Sequence, residues 1–266
     1  MYKKFLLAFL LITAGNVLQA QPFDAYQKKY YINAADTLPY RLLLPEGFDA
    51  TKKYPLIIFL HGAGERGSDN NKQLTHGGNL FLKEANRKQH PAIIVFPQCS
   101  QSSYWSNVQI AGAGKDRHFD FQVGGSPTTP MRLVMELMKQ LMDTYRIQKK
   151  QVYVMGLSMG GMGTFELVNR MPKTFAAAIP ICGGANPSIA KNLRETKWWV
   201  FHGGKDDVVL PQYSEKMVAA MKANKVDVKF TLFPEANHNS WDATFAQPGL
   251  LEWLFSQKRR RCLGIF

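Results

Sequence analysis

Apolar positions along the chain follow two alternating patterns. Unbroken apolar runs of four to six residues stand at 56–60, 92–96, 152–155, 176–181 and 198–201, and 228–233 alternates apolar with polar. Runs this short, rich in Ile, Val and Phe, read as strands, the unbroken ones buried on both faces. Two earlier segments, 30–33 and 40–44, read as an antiparallel pair at the sheet edge. Between the runs the period changes to 3.6. In 131–145, Val134, Leu137, Met138, Leu141, Met142 and Tyr145 share one helical face, with Thr129 as the cap and Pro130 in the first turn. Segments 158–170, 211–223 and 250–255 read as further helices, the first stopped before Pro172. Eight strands alternating with helices predict an α/β fold with a mostly parallel sheet. Two long connections, 61–76 and 98–129, leave the C-terminal ends of strands, where such sheets bind ligands.

The first 20 residues stand apart. Lys3 and Lys4 precede a short apolar run, and Leu18-Gln19-Ala20 closes it, which is a secretory signal layout. The run is too short to span a bilayer, and no other stretch looks transmembrane, so no membrane anchor is expected after cleavage. The expected organisation is a signal over 1–20, one catalytic domain over 21–257 and a basic, disordered tail over 258–266. Location follows as secreted or periplasmic. Apolar residues make up 45% of the chain, including 17 Phe, 10 Tyr and 5 Trp, enough for a sizeable core. Removing Lys3, Lys4 and the tail cations Lys258, Arg259, Arg260 and Arg261 lowers the formal charge from +13 to +7. The remainder reads as a solvated basic surface that can attract an acidic polymer. No arrangement of aromatic and basic residues forms a nucleic-acid motif.

The chemistry centres on Gly156-Leu157-Ser158-Met159-Gly160, which follows a strand and opens a helix. That is a nucleophile elbow, with Ser158 at the apex. A serine hydroxyl needs a base and an oxyanion pocket. His238, after the last strand, is the candidate base. Asp206, just past the seventh, is the candidate orienting acid, with adjacent Asp207 as the alternative. The oxyanion donors are expected to be the backbone N–H groups of Met159 and, in His61-Gly62-Ala63-Gly64, of Ala63. Glu65 and Arg66 are expected to pair and brace that loop. Trp105, Trp241 and Glu65 are candidate substrate contacts, and Tyr104, Phe119 and Phe121 are candidate walls of an acyl pocket. His202 is expected to pack near the site without a chemical role.

These residues resemble the α/β-hydrolase superfamily. More narrowly, the chain resembles secreted bacterial carboxylesterases related to dienelactone hydrolase, feruloyl esterase and polyhydroxybutyrate depolymerase. The resemblance rests on Leu38-Pro39-Tyr40-Arg41, on Tyr54-Pro55-Leu56 through Leu60-His61-Gly62-Ala63-Gly64-Glu65-Arg66-Gly67, on Pro97-Gln98-Cys99 followed by Trp105, and on His238-Asn239-Ser240-Trp241. It implies an α/β-hydrolase fold, an eight-stranded mostly parallel sheet with helices on both faces, in the order 1-2-4-3-5-6-7-8. It implies no cofactor and no metal. The stretch from Cys182 to Lys197 is only 16 residues, too short for a large lid. In that order the strands ending near Cys99 and Cys182 are separated by two others, about 14 Å. Disulfide pairing is then out of reach, and both are expected as free, buried thiols. The expected activity is serine ester hydrolysis on an acylated polysaccharide, removing acetyl or feruloyl groups. The alternatives are a serine peptidase of the same fold and a non-catalytic binding protein.

Overall fold

A computed structural model describes residues 23–34, 36–113 and 116–259. The proposed signal, Cys262 and the tail from residue 260 lie outside the described residues. Among these residues ten strands form: β1 (Gln27–Asn33), β2 (Asp36–Leu43), β3 (Tyr54–Leu60), β4 (Ile93–Pro97), β5 (Val108–Ala111), β6 (His118–Phe121), β7 (Ile147–Leu157), β8 (Ala177–Ile181), β9 (Lys197–Gly203) and β10 (Val228–Phe233). Seven helices accompany them: α1 (Gly78–Leu82), α2 (Glu84–Gln89), α3 (Thr129–Thr144), α4 (Met159–Arg170), α5 (Gln212–Ala223), α6 (Trp241–Phe245) and α7 (Leu250–Ser256).

Eight strands make one sheet in the order β1-β2-β4-β3-β7-β8-β9-β10. This is the expected order. β1 and β2 run antiparallel at one edge, and every pair from β4 to β10 is parallel. Side chains alternate across the sheet and both faces are apolar. Leu56, Ile58, Val152 and Val154 meet Leu137, Phe165 and Met217 of α3, α4 and α5 on one side. Ile57, Phe59, Tyr153 and Met155 meet Phe81 of α1 and Leu251 and Leu254 of α7 on the other. Two-sided burial explains why the strands read as unbroken apolar runs.

Three details differ from the sequence reading. Thr128, one residue earlier than expected, caps α3, its hydroxyl accepting from the Met131 N–H at 3.4 Å, with Thr129 already inside the helix. The 98–129 connection is not an open loop, because β5 and β6 form a separate hairpin within it. Phe119 and Phe121 of that hairpin pack on Met162, Val209 and Tyr213, which seats it beside the end of the main sheet. The chain also stays on the sheet past residue 257, with the Arg259 N–H donating to the Lys150 carbonyl at 2.9 Å. Between β8 and β9 only a short 3-10 helix, Pro187–Leu193, fills the connection. Among the described residues no helix is long and apolar enough to cross a membrane.

β7 turns into α4 with no room to spare. A Cβ on Gly160 would stand 1.9 Å from the Leu60 carbonyl oxygen, and one on Gly156 would stand 2.2 Å from the Gly160 oxygen. Both obstacles are backbone, which no rotamer change relieves. Gly160→Ala is therefore expected to destabilise the protein by at least about 3 kcal/mol, measured by urea unfolding. A loss under about 1 kcal/mol would contradict this packing account.

Candidate active site

The tight turn places Ser158 at φ +54° and ψ −118°, a conformation that non-glycine residues rarely adopt. Such strain is stored where surrounding structure enforces it. Here the enforcing contacts are the two glycines and the Ser158 N–H, which donates to the Ile181 carbonyl at 2.9 Å. Ser158 Oγ lies 3.0 Å from His238 Nε2, and His238 Nδ1 lies 2.8 Å from Asp206 Oδ2. Thus the turn after β10 brings the imidazole between a side chain at the end of β7 and one just past β9. Asp207, the alternative acid, is exposed, and His238 is bonded to Asp206 instead.

Asp206 is buried and surrounded by donors. Its Oδ1 accepts the N–H groups of Val208 and Val209, each at 2.9 Å, and its Oδ2 is also 3.2 Å from His202 Nε2. Burial pushes its pKa up, but hydrogen bonds from His202 and His238, the His238 charge and the Val209 N–H together hold it well below the usual carboxylate range. His202 is itself fully buried, its Nδ1 2.7 Å from the Ser214 hydroxyl. Its Nε2 faces only acceptors, the Val209 carbonyl and Asp206, so that nitrogen carries a hydrogen and donates. His202 thereby holds Asp206 in place.

The loop after β3 is fixed by His61. The Cys99 N–H donates to His61 Nε2 at 2.9 Å, which leaves Nδ1–H to donate to the Gly62 carbonyl at 2.6 Å. A trans peptide sets its C=O and N–H in opposite directions. Tying the Gly62 oxygen back to His61 therefore turns the Ala63 N–H outward, toward the cleft that Ala63 lines. Met159 lines the same cleft. As the first residue of α4 its N–H has no intrahelical acceptor.

Burial lowers the His61 pKa from 6.5 to about 4. The unfolded chain takes up this proton near 6.5, whereas the folded protein does so only near 4, so folding stability falls as pH drops through that window. Such a shift amounts to about 3 kcal/mol. Urea unfolding on either side of the window should show the loss, and His61→Gln should flatten it. A wild-type profile that is flat there would refute the assignment.

The cleft over Ser158 encloses about 250 Å³. Trp241 and Glu65 line it, together with Tyr104 and Phe119. Trp105 does not. Its side chain is fully buried and its indole N–H donates to the His61 carbonyl at 3.0 Å. It fits because Gly163 of α4 leaves the space, a Cβ there standing 2.4 Å from Trp105 Cβ. Trp105 therefore braces the loop and is no substrate contact. Phe121 likewise turns inward. Glu65 and Arg66 do not pair. Glu65 faces His76 at 3.7 Å, while Arg66 bonds the Ala63 carbonyl at 2.9 Å and lies over the Tyr104 ring. The 3-10 turn at Ala63–Glu65 sends the two side chains apart. Sequence reasoning missed His76, Arg117, Met162, Val208 and Val209, all of which line the cleft. The apolar alternation in 118–121 was a readable sign of a wall here, and the isolated His76 gave none.

Cys99 and Cys182 are free and wholly buried. Cys182, Asp206 and His238 are the one group among the described residues close enough to share a metal ion. Burial and the Asp206 carboxylate push the Cys182 thiol far above its ordinary range, and Asp206 is committed to two histidines. A neutral thiol and an occupied carboxylate make a poor ligand set.

Sheet order and elbow turn together define an α/β-hydrolase. Within that class the chain belongs to an esterase family, whose model, described as "Putative esterase", matches residues 35–250. A bifunctional acetylxylan esterase/xylanase from Neocallimastix patriciarum is 29% identical over 164 residues, 60% of this chain and 20% of that protein. The crystal structure of a thermostable esterase superimposes with a TM-score of 0.80 at 33% identity, covering 89% of this chain and 64% of that one. A CE1 ferulic acid esterase from Anaeromyces mucronatus, in complex with ferulic acid, shares the fold at a TM-score of 0.63 and 16% identity, covering 87% and 90%. This chain thus spans a fifth of the bifunctional enzyme and under two thirds of the thermostable esterase.

Proposed function

We propose that the protein is a serine carboxylic-ester hydrolase that works through an acyl-enzyme on acyl groups, acetyl or feruloyl, of a polysaccharide outside the cytoplasm. The observation that carries the reading is the unbroken chain of hydrogen bonds from Ser158 Oγ through His238 to Asp206. In this mechanism His238 Nε2 takes the Ser158 proton as Oγ attacks the ester carbonyl. The oxyanion is held by the Ala63 and Met159 N–H groups, already aimed before substrate arrives. His238 then returns the proton to the departing alcohol, and water repeats the cycle to free the acid.

Proton delivery orients the substrate. The alcohol must leave beside His238, hence on the side of Trp241, whose ring centroid is 5.5 Å from that of His238, and of His76 beyond it at 4.9 Å from Trp241. The acyl group then lies toward Tyr104, Phe119, Met162 and Val208. A cleft this small suits a short or flat acyl group. The acetylxylan and ferulic acid esterases among the similar proteins support that class, and the signal-like N-terminus supports export. Residues 21–257 serve as the catalytic domain.

Incubating the protein with xylan bearing both acetyl and feruloyl esters, beside Ser158→Ala, tests the reading. Serine-dependent release of acetate or ferulate is the expected result. Release of neither acid, with aryl esters still cleaved, would overturn the polysaccharide substrate and keep the esterase.

A further inference from the structure

At the far end of β7 from Ser158, the beginnings of β3 and β7, the end of α3 and the last described residues form a groove of about 780 Å³. Six cations line it, Lys53, Arg146, Lys149, Lys150, Lys258 and Arg259, against the single carboxylate of Asp143. None of the six has a carboxylate within ion-pair distance among the described residues, although Lys and Arg elsewhere on the protein do. The segments outside the described residues carry no Asp or Glu to supply one. Arg259 Nε is enclosed and has no partner. Its own backbone is fixed, because the Arg259 N–H is bonded to Lys150, and the residue lines the groove. Arg146 is also tethered, bonding the Thr51 carbonyl at 2.8 Å.

We infer that this groove binds an acidic polysaccharide, a polymer carrying carboxylates along its length. Unpaired like charges set side by side repel one another, and a polyanion laid among them removes that cost while releasing its counterions. A groove lined by six cations matches a chain that carries many carboxylates. The choice of polysaccharide as occupant rests on the proposed function; the charge complementarity does not. β7 spans eleven residues from Ile147 at the groove to Leu157 beside Ser158. The two sites are therefore roughly 30 Å apart, at opposite ends of this central strand. An acidic chain held in the groove leaves the cleft open, so the enzyme is tethered to a polymer network while it works on esters nearby.

Binding to polygalacturonate, to neutral xylan and to phosphatidylglycerol vesicles is measured for three proteins at low and high salt. These are the wild type, a groove variant with Lys149→Gln, Lys150→Gln and Lys258→Gln, and a control with Lys28→Gln, Lys83→Gln and Lys216→Gln that removes equal charge elsewhere. Expected is salt-sensitive binding of wild type and control to polygalacturonate, no binding to neutral xylan, and affinity on the order of 100-fold weaker in the groove variant. All three should cleave a soluble aryl ester at one rate. The proposal is overturned if wild type ignores polygalacturonate, if the control loses as much as the groove variant, or if only the vesicles bind. Loss of aryl-ester cleavage by the wild type would instead refute the proposed function and leave the binding result standing.

Discussion

Replacing Ser158 with alanine is expected to lower turnover of a soluble aryl acetate by on the order of 10⁴–10⁶-fold. In the proposed mechanism this hydroxyl forms the acyl-enzyme, and no other Ser, Thr or Cys among the described residues lines the cleft to stand in for it. Cys182 is the nearest soft nucleophile, but it is wholly buried and its pKa is raised far above normal, so it offers no thiolate. The same substitution should leave the fold intact. The turn is enforced by Gly156, Gly160 and the bond from Ser158 N–H to Ile181, all of which survive. The measurement pairs steady-state rates with a thermal midpoint. A variant that keeps its midpoint and retains a rate within tenfold of wild type would end the serine mechanism.

Asp206→Asn carries the second largest expected effect, a fall of about 10⁴-fold in turnover. All four close neighbours of the carboxylate, the Val208 and Val209 N–H groups, His202 Nε2 and His238 Nδ1, donate to it. An amide offers only one acceptor oxygen. If that oxygen stays with the two valine amides, the NH₂ group faces His238 Nδ1 and forces it to accept. The imidazole proton then moves to Nε2, where the ring cannot take the proton of Ser158. If the amide flips, two backbone donors lose their acceptor in a buried site, which costs stability. Rates measured against pH, together with the unfolding midpoint, separate the two. Full activity near neutral pH would show that Asp206 does not set the tautomer.

Much of this site was legible from sequence because each member is tied to a strand end. A residue at the apex of strand-Gly-x-Ser-x-Gly-helix has one place to go, and the side chains after β9 and β10 point into the same gap. The central sheet was readable for a similar reason, since 56–60 or 152–155, apolar on every position, fits only a strand covered on both sides. What failed were properties that depend on distant partners. Trp105 reads equally well as a pocket wall and as loop packing until Gly163, on a helix 58 positions later, is seen to make room for it. The hairpin β5–β6 hides among glycines, and its aromatic alternation covers only four residues. The Thr128 cap was missed by one position because two threonines precede Pro130 and either can supply the oxygen. His76 lines the cleft beside Glu65 of its own connection and Trp241 of α6, and the second neighbour is 165 positions away in sequence.

The connection between β8 and β9 bears on how the enzyme meets its substrate in bulk. Where some ester hydrolases swing a helical cover aside on touching an oil droplet, this chain has the short turn Pro187–Leu193, packed down through the buried Ile189, Ala190 and Leu193. Nothing at that point waits for a lipid surface to open it. Velocity should therefore rise smoothly with ester concentration and level off, with no upward break where the ester passes its solubility limit and forms a second phase.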